Sequence, residues 1–330
     1  MNLYETATKH VAWTRVPRGV LSVEGRDARK WLHKIVTANV EPLSSGRGAY
    51  SALLDAKGHF VAAFVLLCDG GAFGILVEPT AREILFHTLK RYIIREKVTL
   101  TDVSAQWECF VLVGNHAAPT LERILETRAP TDLYDWTWGH IGETSARIVR
   151  VARARVPAYD VMIPTAAASE LRAGLEDVPP LSDEALETLR LEAGLPKWGV
   201  DFDANTLALE VPDVMQIRVD QGCYVGQEVV ARIAHRGHVN RHLRGLLIEG
   251  DVVPSRGQAI QLSGAEVGSI TSAARSPVLG TIALGYVRRE VEPGARVQWK
   301  DQVARVVALP FEFPVGSNLI ESNSTVEQSI

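Results

Sequence analysis

Between residues 28 and 36, apolar side chains recur at Ala28, Trp31, Leu32, Ile35 and Val36. This is the i, i+3, i+4, i+7, i+8 spacing of a helix that buries one face, and Asp27 supplies its opening. Gly19 to Glu24 ahead of it reads as a short strand. From residue 49 to 77 the pattern changes to apolar runs at 50–54, 60–67 and 73–77, separated by Asp55-Ala56-Lys57-Gly58 and Asp69-Gly70-Gly71, which predicts an antiparallel meander. Pro79 suits the first turn of a helix reaching about residue 95, with Ile84, Leu85, Leu89, Tyr92 and Ile93 on its packed face. Strands are then expected at 98–103, 109–113, 147–151 and 158–163, with a helix near 120–126. This mixture lacks the regular alternation of a parallel fold and predicts an α+β class.

Pro179-Pro180 breaks the chain, and Ser182 caps a helix with Asp183 and Glu184 in its first turn, ending at Gly194-Leu195-Pro196. Beyond residue 241 come short β segments punctuated by glycine and proline: 243–248, 259–262, 268–274, 281–287, 296–299 and 303–309. They predict a small C-terminal β-barrel over 241–314. The serine- and asparagine-rich stretch 315–330 reads as a disordered tail.

With 330 residues, 46% of them hydrophobic and 22% charged, the chain can bury a large core and divide into two or three domains. A net charge of -4 gives no global reason to bind nucleic acid or an anionic membrane. No apolar run approaches membrane-spanning length, so a cytosolic protein is expected. Cys68, Cys109 and Cys223 are widely spaced with no C-x-x-C pair, which points away from a disulfide framework and from a permanent metal or iron-sulfur cluster.

Two places carry candidate chemistry. In the helix after Ser182, Ala185, Leu189 and Glu192 fall on one stripe, so Glu192 is a carboxylate on a buried face that needs either a structural partner such as Arg190 or a ligand. The turn that follows, from Gly194 through Trp198 to Asp201, has glycines that let the backbone approach something flat. The second place is Gln221-Gly222-Cys223-Tyr224-Val225-Gly226-Gln227-Glu228, where glycines on both sides suit an exposed, sharply turned loop. Arg232, Arg236, Arg241 and Arg244 follow with no acidic residue among them, and such a field favours thiolate. Cys223 is therefore the candidate nucleophile, whereas Cys68 and Cys109 sit in apolar runs and read as core. Arginines interleaved among His235, His238 and His242 oppose a divalent cation, and Gly237 argues against a helix there.

The motif Gly222-Cys223-Tyr224-Val225-Gly226-Gln227-Glu228, with Arg232 and Arg236-Gly237 after it, resembles the signature of the YgfZ family. Val23-Glu24-Gly25-Arg26-Asp27, Leu54-Asp55-Ala56-Lys57-Gly58 and Arg190-Leu191-Glu192-Ala193-Gly194-Leu195-Pro196 extend the likeness across most of the chain. YgfZ proteins share a frame with the glycine-cleavage T protein, aminomethyltransferase. The resemblance implies a ring of α+β domains around a central folate channel, two interleaved subdomains over 1–240, and the barrel. It further implies non-covalent tetrahydrofolate, held by Glu192, Gly194, Trp198, Asp201, Tyr224, Gln227, Arg232 and Arg236. It implies iron-sulfur enzymes or their assembly proteins as partners, served through Cys223. The alternative is a folate-dependent one-carbon transferase of the T-protein type. In T proteins two aspartates follow the turn at Gly58, and this chain has Ala62-Ala63 there. It also has Gln221 where the signature carries lysine.

Overall fold

The computed structural model describes residues 3–212 and 223–314. Helix α1 (Leu3–Lys9) leads into β1 (Ala12–Val16), β2 (Gly19–Glu24) and α2 (Ala28–His33). The meander follows as β3 (Gly48–Leu54), β4 (Phe60–Asp69) and β5 (Ala72–Val77), then α3 (Pro79–Arg91), β6 (Thr99–Asp102), β7 (Trp107–Val113) and α4 (Ala117–Leu125). Next come β8 (Trp136–Ile141), β9 (Thr144–Arg150), β10 (Ala158–Pro164), α5 (Ala168–Gly174), α6 (Asp183–Glu192) and α7 (Gln227–Arg236). Six strands end the described chain: β11 (Arg241–Ile248), β12 (Ala259–Leu262), β13 (Ala265–Ser276), β14 (Gly280–Arg288), β15 (Arg296–Trp299) and β16 (Gln302–Val307).

These strands form two five-stranded antiparallel sheets, β3-β4-β5-β2-β6 and β1-β7-β10-β9-β8, and a closed barrel in the order β11-β14-β13-β12-β15-β16. The α+β class and the C-terminal barrel expected from the sequence are therefore present. The sheets interleave along the chain: β1 joins β7, while β2 returns to the meander. Apolar alternation sorts side chains of β4 to opposite faces. Ala62, Phe64 and Leu66 pack with Trp31, Leu32 and Leu85 under α2 and α3, whereas Val65 and Leu67 face the second sheet. Ser182 caps α6 as expected, its hydroxyl accepting from the Ala185 amide at 3.2 Å.

Several boundaries differ. Helix α3 stops at Arg91, and Ile84 is half exposed because Ala81, Leu85, Thr88 and Leu89 form the packed face. Gly237 ends a helix rather than preventing one: α7 carries Arg232, His235 and Arg236. Strand β1, helix α1, helix α5 and strand β8 fall in stretches where polar residues interrupt the periodicity. The expected disordered tail, together with Gln221 and Gly222, lies outside the described residues.

Candidate functional site

A cavity of about 130 Å³ opens between the meander, the chain after β9, helix α6 and the turn at 195–198. Tyr50 and Tyr134 form one wall, their rings 5.7 Å apart, and Trp198 stands at the turn. Ala63, Phe64 and Val65 of β4 supply the floor. Ala62 and Ala63 thus part company: Ala62 belongs to the core beneath α3, and Ala63 reaches the cavity.

Two carboxylates face this space, and an arginine holds each. Glu78, the residue before Pro79, accepts from Arg18 at 2.5 Å. Glu187 on α6 takes a two-point contact from Arg190, at 3.0 and 2.5 Å. Burial works to raise the Glu187 pKa, but the Arg190 hydrogen bonds and charge outweigh it and hold the carboxyl below its ordinary value. Glu187 is therefore ionised near neutral pH and ready to accept from a ligand N–H. Behind the cavity Arg18 also donates to Asp160 at 3.1 and 3.2 Å, and Arg153 donates to the same carboxylate at 2.6 and 2.9 Å. Asp160 is fully buried; burial opposes its ionisation, yet Arg153 and Arg18 prevail and lower its pKa.

The residues singled out in the helix and turn after Ser182 separate into different roles. Trp198 lines the cavity. Asp201 is 1% exposed and sits behind it, accepting from Arg190, the Lys197 amide, Thr271 and Ser272 at 2.8, 2.9, 2.6 and 2.5 Å. It ties the turn to the barrel. Glu192 is buried away from the cavity lining, and its partners are neither Arg190 nor an open space. Tyr4 donates to it at 2.9 Å and Ser276 at 2.5 Å, joining α1, α6 and β13. Burial raises the Glu192 pKa despite these bonds. Gly194 adopts φ 68°, and a methyl there would stand 3.0 Å from Leu309 and Pro310. The glycine serves close packing on the barrel-side segment rather than an approach to a ligand.

Cys223 is exposed, while Cys68 and Cys109 are buried. Burial raises the Cys109 thiol far above its ordinary value. Tyr224 turns inward and packs with Ala52, Phe60, Ala63 and Phe202, so the cysteine loop is anchored on the strand that floors the cavity. Gly226, at φ 84°, opens α7 so close to the Asp55 carbonyl that a Cβ would lie 2.3 Å from it. Gln227 begins α7, and Arg232 and Arg236 are exposed along it, outside the cavity lining. His238 follows the helix and His242 belongs to β11, so the histidines do not share a helical face.

The sequence pattern did not single out Arg18, Tyr50, Glu78, Tyr134, Arg153 or Glu187. Only Glu187 and Arg190, an i, i+3 acid and base pair, left a local trace.

Residues 17–220 match the GCVT N-terminal domain, and residues 241–311 match the glycine cleavage T-protein C-terminal barrel domain. The chain is 28% identical over 304 residues to the aminomethyltransferase of Rubrobacter xylanophilus, covering 89% of this chain and 80% of that protein. It is 27% identical over 305 residues to the aminomethyltransferase of Picosynechococcus sp., covering 89% and 84%. Among solved structures, the glycine cleavage system aminomethyltransferase T from Bartonella henselae superimposes with a TM-score of 0.82 at 19% identity, covering 93% of this chain and 87% of that one.

Proposed function

The chain belongs to the glycine-cleavage T-protein family, and on that premise we propose that it is a folate-dependent one-carbon transferase that binds the flat ring of tetrahydrofolate in the cavity between the meander and α6, with the rest of the ligand outside it. The observation that carries this reading is the cavity itself: an aromatic wall of Tyr50, Tyr134 and Trp198 suits a flat ring, and two arginine-held carboxylates suit its N–H groups. The relatives' printed activity favours this transferase reading over an iron-sulfur role. Folate binding here uses Glu187, Glu78 and Trp198, with Asp201 and Arg190 holding the turn. Titration calorimetry with tetrahydrofolate should show saturable binding, and Glu187→Gln should weaken it by about 1.5 to 3 kcal/mol, the loss of a hydrogen bond to a charged group. Glu192→Gln should leave affinity unchanged, since Tyr4 and Ser276 occupy that carboxylate. Failure of the wild type to bind folate would sink the reading.

A second reading, support of iron-sulfur enzymes through the motif cysteine, draws on the exposure of Cys223 beside a tyrosine packed on the meander strands. Brief alkylation of the native protein followed by mass spectrometry should label Cys223 first, because the other two thiols are buried. Cys223→Ala should leave folding and folate binding intact. Full complementation by that variant in a cell lacking the protein would remove the thiol from the function.

A further inference from the structure

Across the turn from the folate cavity, a cleft of about 240 Å³ lies between residues 200–206 and strands β11, β13 and β14 of the barrel. A single water needs only about 15 Å³ of such space, so the cleft has room for a small solute. It shares no lining residue with the cavity. Tyr286 of β14 lines it and is 7% exposed, and its buried hydroxyl has no hydrogen-bond partner among the described residues. Thr206 lies close enough to act on that hydroxyl but spends its own on Asp203, donating to the carboxylate at 3.5 Å and accepting from the amide at 3.1 Å. Burial raises the tyrosine pKa, so the group stays a donor at neutral pH. A buried hydroxyl left unpaired is costly, and a ligand that accepts from it relieves the cost.

The lining offers both charges. Arg241 stands over the Tyr286 ring at 4.3 Å and gives Nε and Nη2 to Glu210, which leaves Nη1 to spare. Arg256 is exposed and donates from Nη1 to the Gly199 carbonyl at 3.1 Å. Asp203 receives the Asn205 amide and the Thr206 hydroxyl on Oδ1, so Oδ2 remains open. Asp201 is neutralised by Arg190 and Arg241 by Glu210. The uncommitted charges are therefore Arg256 and Asp203, one of each sign. A simple anion would meet the repulsion of Asp203, and a simple cation that of Arg256. A zwitterion satisfies both, with its carboxylate accepting from Tyr286 and the spare guanidinium N–H groups and its ammonium donating to Asp203. Val200 and Ile270 add apolar lining for a short side chain.

We propose that this cleft binds a small α-amino acid and that its occupancy tightens folate binding across the turn. The second half rests on the folate-binding reading of the cavity. Phe202 lines the cleft and Trp198 the cavity, and their rings touch edge to face at 5.4 Å. Asp201, also in the cleft wall, is held by the same Arg190 that holds Glu187. A ligand that fixes this turn thus fixes one wall of the folate site, and the coupling is reciprocal.

The test is calorimetric titration of the purified protein with L-alanine, propionate and ethylamine. Alanine should bind saturably, and the other two, each lacking one charge, at least ten-fold more weakly. Tyr286→Phe should weaken alanine binding roughly ten-fold, the loss of a hydrogen bond to a charged group, without lowering the unfolding midpoint, since the hydroxyl has no partner to lose. Arg256→Gln should weaken alanine binding in the same sense, and Asp203→Asn should narrow the preference for alanine over propionate. At saturating alanine the affinity for tetrahydrofolate should rise about five-fold, the lower end of ordinary coupling between sites. Absence of alanine binding, propionate binding as tightly as alanine, or displacement of tetrahydrofolate by alanine overturns the amino-acid site. So does a fall in stability of Tyr286→Phe with unchanged alanine affinity, which would make the hydroxyl structural. Alanine binding with folate affinity unchanged overturns the coupling. Tyr286-dependent alanine binding by a protein that takes no folate would sink the transferase reading and leave the amino-acid site standing, and folate binding without alanine binding would do the reverse.

Discussion

Asp160→Asn is expected to lower the stability of the protein by about 3 to 5 kcal/mol, the cost of breaking a buried ion pair from one side. The aspartate is fully buried on β10 and receives four hydrogen bonds from two guanidiniums. Without its charge Arg153 loses this ion-pair partner and Arg18 retains Glu78. Both arginines line the cavity, so folate affinity should fall in the same variant. The pH dependence has a definite sign. The folded-state pKa of Asp160 lies below its ordinary value, so its contribution is complete above the ordinary carboxylate range and is lost as pH falls through the lowered pKa. Denaturant unfolding should therefore show a wild-type advantage over Asp160→Asn that is full at pH 7 and shrinks towards strongly acidic pH. An advantage independent of pH would show that the charge of Asp160 does not carry the effect.

Local pattern made the fold largely legible. Strands β2, β12 and β15 and the Ser182 cap lie where hydrophobic spacing and turn residues put them, because each of these signals is written in a few adjacent residues. The cavity is different in kind. Arg18, Tyr50, Glu78, Tyr134, Arg153 and Glu187 come from segments far apart in the chain, and apart from Glu187, paired with Arg190 three residues on, none stands out within its own window. Glu192 shows the opposite failure. Its place on a buried helical stripe correctly signalled a carboxylate in need of a partner, yet no local rule says whether that partner is a ligand or a tyrosine 188 positions away. Cys223 was legible as exposed because glycines bracket it. That Arg232 and Arg236 lie outside the cavity lining was not, since nothing in their own stretch of sequence says which face of α7 meets the meander. Periodicity reports what is buried, whereas assembly of a site depends on which buried faces meet.

Ala63→Asp is expected to raise aminomethyl transfer to tetrahydrofolate by roughly 100-fold, the lower end of what a positioned general acid or base contributes. When an aminomethyl group leaves a carrier thiol, the sulfur–carbon bond breaks, ammonia departs, and the carbon bonds to folate nitrogens that surrender their protons. A carboxylate at the nitrogen takes that proton; the alanine methyl cannot. Strand alternation decides which of the two alanines matters. Ala63 pairs with Ala52 across β3 and lines the cavity, whereas Ala62 is fully enclosed with Phe64 and Leu66 beneath α3. An aspartate at 63 would share the cavity with Arg18, Arg153 and Lys197, so its charge has partners and the stability change should stay near 1 kcal/mol. Glu78 and Glu187 are poor substitutes for it. Each is held by an arginine, and the lowered pKa of Glu187 makes it a good acceptor for a ligand N–H but a weak base. The wild type should accordingly transfer slowly, by orientation alone. Ala63→Asn, which matches the shape but takes no proton, should give no gain. Ala62→Asp should unfold the protein, since it places an unpaired charge in a closed core. Equal rates for wild type, Ala63→Asp and Ala63→Asn, each shown to bind folate, would mean that proton removal on β4 does not limit this protein and that its chemistry departs from aminomethyl transfer at the donor rather than at the base.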